Sequence, residues 1–233
     1  MASREIQIFG KKIRVNLFSQ ADESVFEEVF VDKDYKCLDE IIRGAKNCVV
    51  DIGAHKGFFG IYASLLNPNV RIFAIEPQSE NFTAMKENIH DNRIKNVICK
   101  NVAIGKSDCE RELNLSDDSH NHSFVKGEGS VGIEKVQTVS LNTVFERYLM
   151  KAGIDHCDLL KMDCEGAEFE VFSGDLDAKI LRKINNIYIE YHKFEEGVTE
   201  TIIEQILSKN GFKILKKPSH YDSRMGFILA RRV

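Results

Sequence analysis

The chain has 233 residues, 43% of them hydrophobic and 29% charged, with a net charge of -4 and a pI near 6.0. That balance suits a single α/β domain over 1–233 and excludes the basic footprint of a nucleic-acid or anionic-membrane binder. No apolar run approaches the roughly 20 residues that cross a bilayer. The start Met1-Ala2-Ser3-Arg4 has no apolar signal core, and six scattered cysteines lack a C-x-x-C spacing, so reduced thiols in the cytoplasm are expected.

In chain order, Ile6, Ile8, Ile13, Val15 and Leu17 alternate around Gly10-Lys11-Lys12 and predict a β-hairpin. Val25, Phe26, Val29, Phe30, Leu38, Ile41 and Ile42 predict one or two helices over 22–44, with an extended break near 31–35. Residues 1–45 are thus expected to cap the fold or border its site, and 46–233 to form the core. The core alternates strands at 48–52, 70–77, 97–104, 157–163 and 184–191 with helices, among them 79–92, 141–152, 165–172 and 199–210. Paired strands at 112–115 and 135–139 flank a polar loop-like stretch, 116–132. Two closing strands, 212–216 and 225–230, form an antiparallel edge. The pattern predicts a doubly wound, mostly parallel seven-stranded Rossmann-like sheet with an N-terminal hairpin and helix addition.

The first core unit, Cys48-Val49-Val50-Asp51-Ile52-Gly53-Ala54-His55-Lys56-Gly57-Phe58, reads as strand, turn and helix start. A dinucleotide fingerprint counted from Gly53 needs glycines where His55 and Phe58 stand, and a phosphate-binding G-x-x-x-x-G-K-[ST] is missing. A nucleoside-like cofactor without phosphates fits the remaining Asp-x-Gly-x-x-x-Gly, S-adenosylmethionine being the common one, with Asp51 placed to hold its ammonium. The plain alternative is a ligand-free junction in which Asp51 caps the helix. Asp51, Glu76, Asp163 and Glu190 each end a predicted strand. In a parallel sheet these ends share one rim, suiting a cationic sulfonium ligand whose ribose hydroxyls pair with Glu76. Any one of them alone would read as a helix cap.

Val49-Val50-Asp51-Ile52-Gly53-Ala54, Ala74-Ile75-Glu76-Pro77, Asn101-Val102-Ala103-Ile104-Gly105 and Leu160-Lys161-Met162-Asp163-Cys164-Glu165-Gly166-Ala167-Glu168 resemble, in order, the FkbM family. The resemblance covers 48–192 and is most distinctive from Asp163 to Glu168. It departs at His55, often asparagine in the family, and at Cys164, often valine or isoleucine. It implies a class I S-adenosylmethionine-dependent methyltransferase, most members of which methylate hydroxyls of natural products and sugars. The implied cofactor residues are Asp51, Gly53, Ala54, His55, Lys56, Gly57 and Phe58 at the methionine end, and Glu76 and Pro77 at the ribose. Gln78, Asn101, Val102 and Ala103 would follow along the adenosine, and Asp163 and Glu165 would face the methyl group and the acceptor.

Methyl transfer to a hydroxyl needs in-line positioning and a base for the acceptor proton. The candidate bases are Asp163, Glu165 and His192, with Lys161 pairing an acid or steering the acceptor. A purely structural alternative has Asp163 capping a helix and Glu165 and Glu168 complementing its dipole. No resident metal is expected, although Asp163, Glu190 and His192 offer oxygen and nitrogen donors at neighbouring strand ends. His120 and His122 are expected to be solvated. The Asn/Asp-Pro-Pro-aromatic tetrad of amide- and exocyclic-nitrogen methylation is missing: Asp163-Cys164-Glu165-Gly166 stands there, and the only prolines are Pro68, Pro77 and Pro218. A small-molecule or glycosyl hydroxyl is therefore the expected acceptor, and a homodimer is compatible with the chain. The competing classes are a non-catalytic Rossmann-like binding module and an NAD(P)-dependent oxidoreductase, the latter opposed by His55 and Phe58.

Overall fold

Two apolar faces alternate along the central strand. In the computed structural model, which describes residues 2–116, 122–124, 130–174, 176–193, 199–219, 222 and 224–233, every side chain of Cys48–Ile52 is buried. Cys48, Val50 and Ile52 enter one core with Phe73, Phe145, Leu160 and Ile189. Val49 enters a second core with Tyr62, Ala74, Leu159 and Tyr188. Asp51, two residues on, shares that second face by the period of a strand, so a carboxylate lies within an otherwise apolar row.

The N-terminal hairpin joins β1 (Ala2–Ile8) to β2 (Lys11–Leu17) through Phe9 and Gly10, both at positive φ (49° and 76°). Two such residues match the right-handed twist of the strands, so the turn falls before Lys11 and Lys12, which belong to β2. Helix α1 (Gln20–Phe26) begins with a Ser19–Asp22 capping box. It continues through a wide turn at Glu27–Asp32 and a tight one at Asp34–Leu38 into α2 (Asp39–Gly44). No extended break occurs at 31–35. Lys33 alone, at φ 58°, redirects the chain, and this keeps Val29, Phe30, Tyr35 and Leu38 all buried. Asp22 is fully buried and pairs with Lys56 Nζ, tying this segment to the turn after the central strand.

The core then runs β3 (Cys48–Ile52), α3 (Phe58–Leu66), β4 (Arg71–Ile75), α4 (Ser79–Asp91), β5 (Val97–Lys100), β6 (Ala103–Ile104), β7 (Cys109–Ser116) and β8 (Ser130–Val139). It continues with α5 (Leu141–Thr143), whose turns carry on to Gly153, then β9 (Leu159–Met162), α6 (Ala167–Ser173), α7 (Ala178–Leu181), β10 (Asn186–His192), α8 (Thr201–Lys209), β11 (Phe212–Pro218) and β12 (Met225–Arg232). The main sheet has the order β11-β12-β10-β9-β3-β4-β5. Strands β10, β9, β3, β4 and β5 pair in parallel, and β12 runs antiparallel to both its neighbours. This is the expected doubly wound, mostly parallel seven-stranded sheet. The chain leaves β3 towards β4 and returns to its other side as β9, which makes the carboxyl ends of β3 and β9 a topological switch point, where such sheets bind ligands.

Two local departures bear on the site. The strand expected at 97–104 splits, because the Asn101 side chain donates to the carbonyls of Glu76 and Pro77 (3.0 and 2.9 Å) and ends the ladder. Its second half, β6, joins a separate sheet of order β6-β8-β7. Helix α6 starts two residues late, since Glu165 (φ 51°) and Gly166 (φ 95°) are left-handed. Of the polar stretch 116–132, residues 117–121 and 125–129 lie outside the described residues, while Ser123 bridges Asn114 of β7.

Candidate active site

A crevice of about 600 Å³ opens at the carboxyl ends of β3, β4, β9 and β10, within the size range of small-ligand sites. Its floor is the turn after β3. The amides of Gly53 and Ala54 both donate to Ile75 O at 3.0 Å, which bends the chain sharply over the end of β4. Gly53 has φ 74°, and a Cβ there would stand 1.6 Å from Asp163 O, so the β9–α6 loop lies directly on this glycine. Gly57, at φ 83°, is packed less tightly, against a side chain: a Cβ there would stand 2.8 Å from Met85 Cγ of α4.

Glu76 holds the second wall. Its carboxylate accepts from His55 N (2.9 Å) and Gln78 N (3.0 Å), and Gln78 Oε1 accepts from Asn81 N (2.7 Å) to cap α4. Burial pushes the Glu76 carboxyl up to about 7 against those two amides. The Asn81 side chain is a third donor to it, and the carboxylate still has lone-pair capacity for a further donor from the crevice.

Of the residues predicted to hold a cofactor, Gly53, Ala54, His55 and Phe58 line the crevice from the turn, Glu76 and Pro77 from the end of β4, and Val102 and Ala103 from beyond β5. Asp51, Lys56, Gly57, Gln78 and Asn101 do not line it; they support those that do. Lys56 is bound to Asp22, and Asn101 to the Glu76 and Pro77 carbonyls. Asp51 is fully buried below the floor, its Oδ1 3.3 Å from Lys161 Nζ, an ion pair outside hydrogen-bond alignment. Burial raises the Asp51 carboxyl to about 6, and Lys161 restrains the rise.

Register explains the pairing. Asp51 and Lys161 face each other across β3 and β9, so they lie on one face of the sheet. Lys161 Nζ also reaches Asp163 Oδ2 at 3.5 Å and Gly53 O at 3.3 Å, and lies 5.8 Å from the ring centres of Tyr35 and Phe59. Burial works against the ammonium, but Asp51 and Asp163 outweigh it and raise its pKa. The pairing of Lys161 with an acid, expected from a lysine inside an apolar run, thus involves two acids.

Asp163, Glu165, Glu190 and His192 meet at the other end of the crevice. His192 is 4% exposed, with Nδ1 3.8 Å from Glu168 Oε1 and Nε2 3.8 Å from Glu165 Oε1. Burial would lower its pKa, yet Glu168, Glu165 and Asp163 together raise it to about 10. The imidazole is therefore already protonated near neutrality and is a fixed cation there. Asp163, Glu165 and His192 bring one donor atom each within 4.8 Å of one another, so Glu165 and not Glu190 joins Asp163 and His192 in this group. Glu168 is fully buried and accepts from Cys164 N (2.7 Å) and Gly166 N (2.9 Å), which holds the loop carrying Asp163 and Glu165.

The protonated histidine has a measurable signature. Its folded pKa lies above the ordinary 6.5, so its contribution to stability is complete below that value and is lost as pH rises through about 10. Urea unfolding of His192→Gln should therefore lose less stability than the parent between about pH 7 and about pH 10. Equal slopes for the two chains over that window would contradict the assignment.

The N-terminal segment supplies residues that periodicity did not single out. Tyr35 and Glu28 line the crevice, and Tyr35 packs edge-on against Phe59 (5.0 Å) and Tyr188 (5.9 Å). From the opposite side come Ser123, whose hydroxyl donates to Glu165 O at 2.6 Å, and the Asp222–Arg224 pair. His122, expected to be solvated, is half-buried, lines the crevice and accepts from Ser116 N at 3.0 Å. His120 lies outside the described residues.

The model of the methyltransferase FkbM domain matches residues 51–214. The chain is 24% identical to the 31-O-demethyl-FK506 methyltransferase FkbM of Streptomyces tacrolimicus, covering 89% of each protein. It is 22% identical to the hexuronic acid methyltransferase AglP of Haloferax volcanii, over 88% of this chain and 82% of that one. A 24% match to the AMB antimetabolite synthetase AmbE of Pseudomonas aeruginosa covers 82% of this chain but only 11% of that much longer protein. Among solved structures, a methyltransferase FkbM from Methylobacillus flagellatus superposes with a TM-score of 0.53 at 15% identity, over 79% of this chain and 43% of that one, a likeness of fold. No described helix is long and apolar enough to cross a membrane. The family match runs from Asp51 beneath the turn, through the Asp163-to-Glu168 loop and on into β11, and on that span the chain belongs to the FkbM methyltransferase family.

Proposed function

We propose that the protein transfers the methyl group of S-adenosylmethionine to a hydroxyl of a small-molecule or glycosyl acceptor. The observation that carries this is the buried Glu76 carboxylate beside a turn without a phosphate cradle. A nucleoside needs an acceptor for its ribose hydroxyls and no pyrophosphate site, and that is what this half of the crevice offers. Gly53, Ala54, His55 and Phe58 would hold the methionine end, Glu76 and Pro77 the ribose, and Val102 and Ala103 the adenine edge. Asp51, Lys56, Gly57, Gln78 and Asn101 keep these residues in place from behind.

When bound, S-adenosylmethionine supplies a methyl group on a positively charged sulfur. The chain's part is to align an acceptor oxygen with it and to keep water out. Asp163 and Glu165 stand where the second substrate must enter, and Lys161 and His192 fix their orientation. Oxygen is favoured as the acceptor atom by the missing proline tetrad. It is also favoured by the relatives, one named for O-demethyl-FK506 and another for a hexuronic acid.

Calorimetry with S-adenosylmethionine and S-adenosylhomocysteine tests the cofactor half, and binding in about the micromolar range is expected. Glu76→Gln should weaken it by about tenfold to a hundredfold, the loss of a charge-assisted acceptor for the ribose. No binding up to about millimolar ligand would sink the proposal. Binding without transfer to any hydroxylated acceptor would leave a binding module.

A further inference from the structure

Besides Asp222, which is paired with Arg224, the acceptor end of the crevice carries four carboxyl groups, on Glu28, Asp163, Glu165 and Glu190. Three have partners. Asp163 is paired with Lys161, Glu165 faces the His192 cation, and Glu28 accepts from Ser24 Oγ at 3.4 Å. Among the described residues, Glu190 has neither a hydrogen bond nor an ion pair to its carboxyl. A carboxylate neutralised by a fixed cation is a weak base, and a histidine that is already protonated takes no further proton. Among the described carboxyls at this end Glu190 alone has no partner, and it is half-buried, whereas Glu28, held by one hydroxyl, is exposed.

Its position follows from the strand register. Tyr188 pairs with Lys161 and Ile189 with Met162 across β10 and β9. The next step sets Glu190 level with Asp163, the first residue beyond β9, and on the face shared with Lys161 and His192. On its other side Glu190 pairs with Phe227 of β12.

On the reading that this crevice methylates an oxygen, we propose that Glu190 is the general base for the acceptor hydroxyl. Glu190 takes the hydroxyl proton as the oxygen's electron pair forms the bond to the methyl carbon. The carbon–sulfur bond breaks with its pair staying on sulfur, which leaves a methyl ether, the neutral thioether and a protonated Glu190 that returns its proton to solvent. The titratable and charged groups around it are Asp163 and Lys161 from β9 and the loop after it, His192 and Tyr188 on its own strand, and Glu28 and Tyr35 from the N-terminal segment. Burial pushes the carboxyl up to about 8; Asp163 adds to this, while His192 and Lys161 restrain it. A base is most effective when its pKa lies near the working pH, and activity should therefore climb as pH rises through that value.

The first test needs no acceptor. The full chain is labelled with carbon-13 at the glutamate side-chain carboxyls and titrated by NMR, and the Glu190 resonance is the one lost in Glu190→Gln. Titration near 8 is expected; titration in the ordinary glutamate range, about 4–5, overturns the proposal. Glu190→Asp, which keeps a carboxyl but withdraws it, provides the assignment should the glutamine variant fail to fold. The second test is turnover with an acceptor found by radiolabelled methyl transfer to hydroxylated glycosides and macrocyclic alcohols. Glu190→Gln should bind S-adenosylmethionine within about twofold of the parent and lower kcat by about a hundredfold or more, with the rise of kcat with pH abolished. A kcat within about threefold and an unchanged pH profile overturn it. Failure of the parent to bind S-adenosylmethionine would instead remove the methyltransferase reading, while the titration still reports on Glu190.

Discussion

Lys161→Met is expected to cost about 3–5 kcal/mol of folding stability, the usual result of breaking a buried ion pair from one side. Methionine fills much the same space among Tyr35, Phe59 and the strand neighbours, so little of the loss is packing. What is lost is the single cation that lies 3.3 Å from Asp51 Oδ1 and 3.5 Å from Asp163 Oδ2. Asp51 has no solvent exposure and no hydrogen-bond partner for either oxygen among the described residues. The deficit should depend on pH with a defined sign. The folded pKa of Asp51 is about 6, above its ordinary 3.8, so keeping the charged form buried disfavours the folded state increasingly as pH rises through that interval. The variant should thus be worst above about pH 6 and approach the parent below it, where Asp51 is protonated. Urea unfolding at both sides of that value measures this, and Lys161→Met combined with Asp51→Asn should recover much of the loss. A single variant as stable as the parent at neutral pH would mean the pair contributes nothing.

The same lysine shows what the amino-acid order makes legible. A lysine within Leu159-Leu160-Lys161-Met162 calls for a counter-charge, and the acids at neighbouring strand ends, Asp51 and Asp163, are the ones it meets. The glycine spacing was equally informative: His55 and Phe58 exclude a pyrophosphate whatever the three-dimensional detail. Other features depend on relations no local pattern contains. Asp51 ends β3 in sequence, yet the turn of Gly53 over Ile75 O places it under the floor instead of on the rim. Glu28 falls in an expected helix and Tyr35 in an expected extended break, in a segment expected to cap the fold or border its site. Their place beside Asp163 depends on Lys33 adopting a left-handed conformation and on Asp22 reaching Lys56. Likewise His192 looked like a base by its residue type. Its neighbours Glu165 and Glu168, brought in by the α6 loop, stabilise the protonated imidazole, a relation its residue type alone does not contain.

Gly53→Ala should be the most damaging change of a single small residue, by roughly 2–5 kcal/mol. Two costs add. The backbone has φ 74° there, a region an alanine enters at about 1–2 kcal/mol. The added methyl would also overlap Asp163 O at 1.6 Å, and a carbonyl oxygen in the backbone of a packed loop cannot swing aside as a flexible side chain would. Relief requires the whole β9–α6 loop to lift, but that loop is held by Glu168 through Cys164 N and Gly166 N and by Asp163 N donating to Ile52 O at 3.1 Å. Movement of the loop would carry Asp163 and Glu165 away from the crevice, so a folded Gly53→Ala chain should still bind S-adenosylmethionine poorly and transfer no methyl. Gly10→Ala is the control: its φ is 76°, but nothing lies within 4 Å of the added carbon, so only the conformational cost remains. Thermal unfolding of the two variants should separate them clearly, with the Gly10 variant losing about 1–2 kcal/mol and the Gly53 variant markedly more. Equal losses would show that the two loops do not press on each other as the geometry requires.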